Sequence, residues 1–159
     1  MHKEIRRKDR ILTEDESRAV LEKCEYGILS MVNAENEPYA VPLSYTAKGN
    51  AVYVHCATLG EKIDTLNANA SVCFTVVGNT EPVYDGSFST YYESCIVFGN
   101  ARLVTDDAEK RDALMQLAEK YLPDHMDKAE GDIEKSWKRT AVFAIDVERI
   151  TGKSKKRKA

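Results

Sequence analysis

The sequence contains no apolar run that approaches the length of a membrane-spanning helix. About 20 consecutive apolar residues are needed to cross a bilayer, and charged or polar residues interrupt every apolar run here well before that. The N-terminal residues are charged and no apolar segment follows them, which is unlike a secretory signal peptide. These absences lead us to expect a cytoplasmic protein without a membrane partner.

Cysteine and histidine are scarce, and neither occurs at a spacing that is typical of a metal site. The 4 cysteines are widely separated without a C-x-x-C pair, and only 3 histidines are present. We therefore expect free thiols that pack as small apolar side chains, and no bound metal. Cys56 is an exception to this interpretation, because it directly follows His55.

The common catalytic signatures are missing as well. The sequence has no G-x-S-x-G, no P-loop, no G-x-G-x-x-G and no H-E-x-x-H. Hydrolytic and zinc chemistry are therefore not expected. A small chain with so few catalytic side chains either binds a ligand or borrows a cofactor that carries the reactivity.

A strong excess of one charge is also absent. The formal net charge is −3 over 159 residues, which gives no general attraction for nucleic acid. A chain of this length has room for one domain with a hydrophobic core. The basic run from Lys153 to Lys158 follows the last predicted strand. We therefore predict one domain over residues 1–152 and a disordered, solvated basic tail over residues 153–159.

Hydrophobic periodicity predicts a mainly β, α+β fold. Thr13 and Glu16 have the spacing of a capping box, and Asp106 and Glu109 repeat it at the start of a second helix, which should end before Pro123. The predicted strands are 27–32, 39–46, 51–57, 71–77, 93–104 and 140–147, the last of them apolar on both faces, with a brief helix over 59–66, an irregular segment over 78–92 and a polar connector over 124–135. Short turns between these runs indicate an antiparallel meander. We expect an antiparallel split β-barrel with peripheral helices, since closure removes exposed edges.

The second predicted strand has one face of small side chains. Ala40, Pro42 and Ser44 alternate with larger apolar residues, and such a row lets a flat ring lie close to the strand. Pro42 cannot donate to a ladder, which favours a free edge. A ligand-binding face and a plain edge strand that proline protects from aggregation are both compatible with this pattern.

A candidate phosphate site follows the third predicted strand. Gly60 leads directly into the brief helix that carries Lys62. A helix N-terminus presents free N–H groups and a positive dipole end, and a lysine in the first turn adds charge. The alternative is an ordinary solvated lysine.

Several segments, taken in order, are similar to one known family. They are Gly27-Ile28-Leu29-Ser30, Pro38 to Tyr45, Val54-His55-Cys56-Ala57, Gly60-Glu61-Lys62, Ser94 to Gly99 and Ile150 to Lys153. Together they resemble the pyridoxamine 5′-phosphate oxidase-like FMN-binding split barrels, most closely the nitroimidazole-resistance (Nim-type) branch. The resemblance covers nearly the whole chain.

The resemblance implies a homodimer with two FMN sites at its interface. The residues that it places at the isoalloxazine ring are Val41, Pro42, Leu43, Ser44 and Tyr45. It places His55, Cys56 and Ala57 at the ring and ribityl chain, Lys62 at the phosphate, and Tyr92, Ser94 and the partner's Trp137 around the rest of the pocket. Trp137 could equally be a core or interface residue. His55 could donate a proton to a substrate, or be hydrogen-bonded without a chemical role.

One departure from the family concerns substrate. The oxidases proper have a strand rich in arginine and lysine where this chain has the neutral stretch from Tyr39 to Tyr45, so vitamin B6 oxidation is not expected. The leading hypothesis is an FMN-dependent reductase of a small, electron-poor substrate such as a nitroaromatic. A nicotinamide donor would have to stack transiently on the flavin, because no nicotinamide-binding fingerprint is present. The alternative is a non-catalytic flavin or haem binder or carrier.

Overall fold

A computed structural model describes residues 4–156, which form one eight-stranded antiparallel sheet and four α-helices. The strands are β1 (Ile11–Leu12), β2 (Gly27–Val32), β3 (Pro38–Leu43), β4 (Tyr45–Lys48), β5 (Ala51–Ala57), β6 (Ser71–Tyr84), β7 (Phe88–Leu103) and β8 (Thr140–Lys155). The helices are α1 (Glu14–Lys23), α2 (Glu61–Ala68), α3 (Asp107–Tyr121) and α4 (Met126–Ser136). The mainly β architecture with peripheral helices is confirmed.

The sheet curls so that its two edge strands meet in the chain at a single residue. Its strand order is β3-β2-β6-β7-β8-β5-β4, with β1 added beside β8. The edge strands β3 and β4 are separated in the chain only by Ser44, so the sheet has to curl until its two edges meet. Within residues 4–156 no ladder joins β3 to β4, and the barrel is therefore split there. The prediction of one continuous strand over 39–46 is wrong at this point.

The barrel interior is the main hydrophobic core. Its fully buried side chains come from every part of the wall, among them Leu29 of β2, Val54 of β5, Phe74 of β6 and Val97 of β7. Helix α1 contributes Leu21 to the same cluster. The predicted capping box of α1 is confirmed, since the Glu16 amide donates to Thr13 Oγ1 at 3.2 Å and the Thr13 amide donates to Glu16 Oε2 at 2.9 Å.

A second, smaller core lies outside the barrel, beneath α3 and α4. Strand β8 belongs to both cores, because Phe143 and Ile145 face the interior whereas Val142 and Ala144 face the helices. This confirms the prediction that the last strand is buried on both sides. The Asp106 cap of α3 is confirmed as well, with the Glu109 amide donating to its carboxylate at 2.8 Å.

The segment over 78–92, predicted as irregular, is instead a long hairpin formed by the ends of β6 and β7. The two strands pair from Thr80–Tyr92 to Tyr84–Phe88, beyond an irregularity between Val77 and Thr80. Strand β2 pairs with β6 only at residues 73–75. This part of β6 is therefore an edge, where Pro82 is tolerated.

Two further sequence predictions are wrong. The polar connector over 124–135 contains α4, which buries Ala129 and Ile133, the latter as part of the second core. The basic tail does not begin at residue 153, because β8 continues to Lys155 and pairs Lys153 with Ser94 and Lys155 with Tyr92. Residues 157–159 of that tail lie outside the described residues.

Candidate functional site

Strand β3 presents its small side chains outward, at the open edge of the barrel. Pro38, Ala40 and Pro42 alternate with half-buried neighbours and are exposed, and Ser44 is exposed at the split. The only pairing partner of β3 is β2, so its other edge carries no ladder among the described strands. The predicted face of small residues is therefore present and accessible.

The larger residues of the same stretch face the other way. Val41 and Leu43 are half-buried and pack against the barrel core. Tyr45 has no exposed surface, and its hydroxyl donates to the carbonyl oxygen of Leu21. Of the five residues predicted to line a ring, only Pro42 and Ser44 present their side chains on the outer surface, and Tyr45 is a core residue instead.

The end of β5 brings a histidine to this outer surface. His55 and Ala57 are exposed, whereas Cys56 between them is half-buried and packs against the barrel core. His55 pairs with Val142 of β8, and Ala57 pairs with Thr140. Within residues 4–156 the ring nitrogens of His55 have no hydrogen-bond partner, which leaves them available to a ligand.

The turn after β5 produces the predicted helix start. Gly60 has a φ of 126°, a value that favours glycine, and nothing lies within 4 Å of the place where a Cβ would be. The Gly60 carbonyl accepts the first intrahelical bonds, from the amides of Ile63 at 2.9 Å and Asp64 at 3.2 Å. The amides of Glu61 and Lys62 precede those bonds and are the open donors of a helix N-terminus.

The charge of Lys62 acts on the end of β5. Its side chain is half-buried and has no ion pair in the part of the chain that the structure describes. The pKa of His55 is lowered below 6.5, chiefly because neighbouring atoms partly desolvate the ring and in addition because the Lys62 ammonium repels a second positive charge. Burial raises the pKa of the Cys56 thiol, and Lys62 partly opposes that rise. At neutral pH His55 is therefore uncharged and Cys56 is a thiol.

Two clefts open on this outer surface. The larger, about 740 Å³, lies between α3, α4 and the sheet, and its wall includes Ser44 and His55. The smaller, about 430 Å³, adjoins α2 and contains Trp137 and Ile63. Thr140 lines both, so the clefts are neighbours on either side of the start of β8.

Trp137 is held within its own chain. The Lys110 ammonium lies 4.3 Å from the centre of its ring and the Arg111 guanidinium 5.1 Å from it. Lys110 also donates to the Trp137 carbonyl at 3.0 Å, and the ring packs against the second core. The indole is thereby fixed beside the smaller cleft and outside the wall of the cleft that contains His55.

Tyr92 and Ser94 are not brought to His55 within one protomer. Both are half-buried on β7 and pair with Lys155 and Lys153, near the end of β8. His55 pairs with Val142 near its beginning. A site that used all of these residues would need more than one chain.

Most residues of the larger cleft, three polar ones from the helical layer among them, were not predicted from the sequence as site residues. Tyr121 comes from α3, His125 from the turn before α4 and Lys128 from α4 itself. The sequence does contain a signal for α4, because Ala129 and Ile133 are spaced four residues apart among polar residues, as on an amphipathic helix.

No group of three or more His, Cys, Asp or Glu among residues 4–156 is arranged to hold a metal ion. No helix in that range is long and apolar enough to cross a membrane.

Comparison with known proteins identifies the family. A family model described as pyridoxamine 5′-phosphate oxidase matches residues 13–154. The chain belongs to the pyridoxamine 5′-phosphate oxidase family. That range extends from the cap of α1 nearly to the end of β8, and the match confirms the family resemblance predicted from the sequence. No curated protein matches the sequence.

Solved structures share the fold of this family member at low sequence identity. A Bacteroides thetaiotaomicron protein provisionally described as a 5-nitroimidazole antibiotic resistance protein is 23% identical, with a TM-score of 0.76 over 91% of this chain and 85% of its own. A conserved hypothetical protein of Mycobacterium tuberculosis is 14% identical, with a TM-score of 0.81 over 95% and 90%. An FAD- and haem-binding protein of Mycobacterium smegmatis is 19% identical, with a TM-score of 0.76 over 91% and 72%.

Proposed function

We propose that this chain binds FMN on the outer surface at the barrel split and is an FMN-dependent reductase of a small, electron-poor substrate. The observation that carries the proposal is the position of Lys62, whose ammonium has no ion pair among residues 4–156 and lies in the first turn of α2, close enough to His55 to lower its pKa. Phosphate recognition and a ligand-facing histidine therefore occur at one place. Two solved structures with a similar fold are described as FAD-binding proteins, which supports a flavin as the ligand; the choice of FMN rests on the phosphate site at Lys62.

The residues present fit a flavin phosphate. The open amides of Glu61 and Lys62 and the positive end of the α2 dipole favour a dianion, and the Lys62 ammonium adds a charge-assisted hydrogen bond. Gly60 contributes by having no side chain to obstruct the approach. A riboflavin without phosphate would lose all of these contacts.

The residues present also fit a flat ring. Ala40 and Pro42 of β3 and the adjoining Ser44 form an exposed row of small side chains, and the exposed Ala57 ends β5 on the same outer side as His55. None of these side chains would hold a planar ring away from the backbone. When bound, the flavin would supply the electron transfer that no side chain of this chain can carry out.

His55 is the proposed proton-handling residue. Because its pKa is lowered, the neutral imidazole predominates near pH 7, holding a proton on one ring nitrogen and accepting at the other. Such a group can orient a substrate by a hydrogen bond and pass a proton to it. The neutral outer row of β3 has no arginine or lysine to grip a substrate phosphate, so we propose a substrate without a phosphate group rather than pyridoxamine phosphate.

We further propose that two copies of the chain form the complete site. Tyr92 and Ser94 lie at the opposite end of β8 from His55, so in a shared site they would come from the second copy. Sedimentation of the FMN-loaded protein over a dilution series tests this, and a folded, FMN-loaded monomer would contradict it.

The absorption spectrum of the purified protein, followed by anaerobic addition of NADH or NADPH, tests the function. We expect the visible bands of an oxidised flavin, and their bleaching on addition of the nicotinamide. A flavin that stays oxidised would argue for a carrier rather than a reductase. A Soret band would favour the second candidate, a haem binder in which His55, exposed and without a hydrogen bond among residues 4–156, would ligate the iron.

A further inference from the structure

The larger cleft has an apolar floor built by the two outer helices. Leu114 and Leu117 of α3 and Ala129 and Ile133 of α4 all line it, and each is less than one-tenth exposed. The cleft measures about 740 Å³, within the range of about 300–1,000 Å³ that is usual for small-molecule sites. A largely apolar ligand could therefore be accommodated without displacing the helices.

The rim of this cleft carries one lysine, Lys128, and one carboxylate, Asp132. Lys128 has no ion pair and no hydrogen bond to any residue in the range 4–156. The one carboxylate on the rim, Asp132, already accepts a hydrogen bond from Lys135 at 3.0 Å. A ligand with one acidic group would thus be attracted to Lys128 and would meet no unpaired carboxylate there.

The same cleft adjoins the proposed flavin surface. Ser44 and His55 form part of its wall, opposite the helices. A molecule on the helix floor would therefore reach the histidine that we assign to proton handling.

From these observations we propose that the α3–α4 cleft binds a largely apolar small molecule with one anionic group, which Lys128 recognises. The position of the cleft beside His55 makes this molecule the substrate class of the reductase; that second step rests on the proposed function. The binding step does not, because it depends only on the floor and the rim.

A matched pair of dyes tests the binding step on the flavin-free protein. Anilinonaphthalene sulfonate is aromatic, largely apolar and anionic, and N-phenylnaphthylamine has the same ring system without the charge. We expect both to bind, and Lys128→Gln to weaken the sulfonate about threefold, as for the loss of one exposed charge contact. The neutral dye should be unaffected. Lys138→Gln, which removes an exposed lysine from the smaller cleft, is the control and should change neither affinity.

The outcomes separate the two proposals. Equal sulfonate affinity in the wild type and Lys128→Gln, or no binding of either dye, would overturn the cleft proposal whether or not FMN binds. Loss of sulfonate binding at saturating FMN would show that flavin fills the cleft. That result would overturn the proposal that the cleft is a separate binding site. Retained, Lys128-dependent binding in a protein that takes up no FMN would uphold the cleft and reject the reductase.

Discussion

The hydroxyl of Tyr121 accepts a hydrogen bond from the backbone amide of Tyr45 at 2.9 Å, at the point where the barrel wall splits. The same hydroxyl lies within hydrogen-bond distance of the carbonyl oxygens of Glu25 and Tyr45, one of which takes its proton. Tyr45 follows Ser44 and has no β3–β4 ladder to pair with. Tyr121, the last residue of α3, thus makes hydrogen bonds to the backbone where a β3–β4 ladder is missing. These bonds fix the position of the chain at the split.

Tyr121→Phe should therefore destabilise the fold without changing its topology. The substitution removes the hydrogen bonds that the Tyr121 hydroxyl makes with the Tyr45 amide and the Glu25 carbonyl. We expect this to lower the free energy of unfolding by about 1–3 kcal/mol. Denaturant unfolding measures the change. Tyr26→Phe is the control, because Tyr26 is 62% exposed and should be unaffected. Equal stabilities of the two variants would contradict the bridging role of Tyr121.

Gly99 and Gly131 should respond in opposite directions to alanine. A Cβ at Gly99 would lie 2.0 Å from the Asp146 carbonyl oxygen, at the irregularity between β7 and β8, whereas nothing lies within 4 Å of one at Gly131 inside α4. We expect Gly99→Ala to cost about 1–3 kcal/mol or more and Gly131→Ala to gain about 0.5–1 kcal/mol. Thermal unfolding of both variants measures this, and a tolerated Gly99→Ala would contradict the close approach of β8.

The regular elements of the fold were predictable from local sequence. The capping box at Thr13, the N-cap at Asp106 and the two-sided apolar pattern of β8 are signals that lie within one element. The split at Ser44 was not predictable, because the alternation runs through Leu43, Ser44 and Tyr45 without a break. The two strands are separate because they belong to two different hairpins, β3 pairing back with β2 and β4 pairing forward with β5.

The candidate site was predictable in part for the same reason. Gly60 and Lys62 are adjacent in sequence, so their helix start was apparent. Lys128 belongs to a helix that its polar composition concealed, and its place opposite His55 depends on how α4 packs on β8. Lys153 and Lys155 suggested a solvated tail, yet their backbones extend β8 because β7 is long enough to pair with them.

The lowered pKa of His55 makes a signed prediction about pH. Below about pH 6.5, His55 binds a proton more readily in the unfolded state than in the folded state. The contribution of His55 to the free energy of unfolding is therefore fully present above pH 6.5 and is lost as the pH falls through the folded-state pKa. An NMR titration of the imidazole should give a pKa below 6.5, and Lys62→Ala should raise it part of the way back. His55→Gln should make unfolding less sensitive to acid in this range. A pKa above 6.5 would contradict the described environment.

The most direct test of the account compares FMN and riboflavin binding to the wild type and to Lys62→Ala by equilibrium titration. The wild type should bind FMN more tightly than riboflavin. Lys62→Ala should weaken FMN by about 1–3 kcal/mol, or roughly tenfold to a hundredfold, and leave riboflavin nearly unchanged. Lys48→Ala is the control, because Lys48 is paired with Asp112 at 2.9 Å beside the opposite end of β5. A wild type that binds no flavin, or a Lys62→Ala variant that binds FMN as tightly as the wild type, would contradict the proposed site.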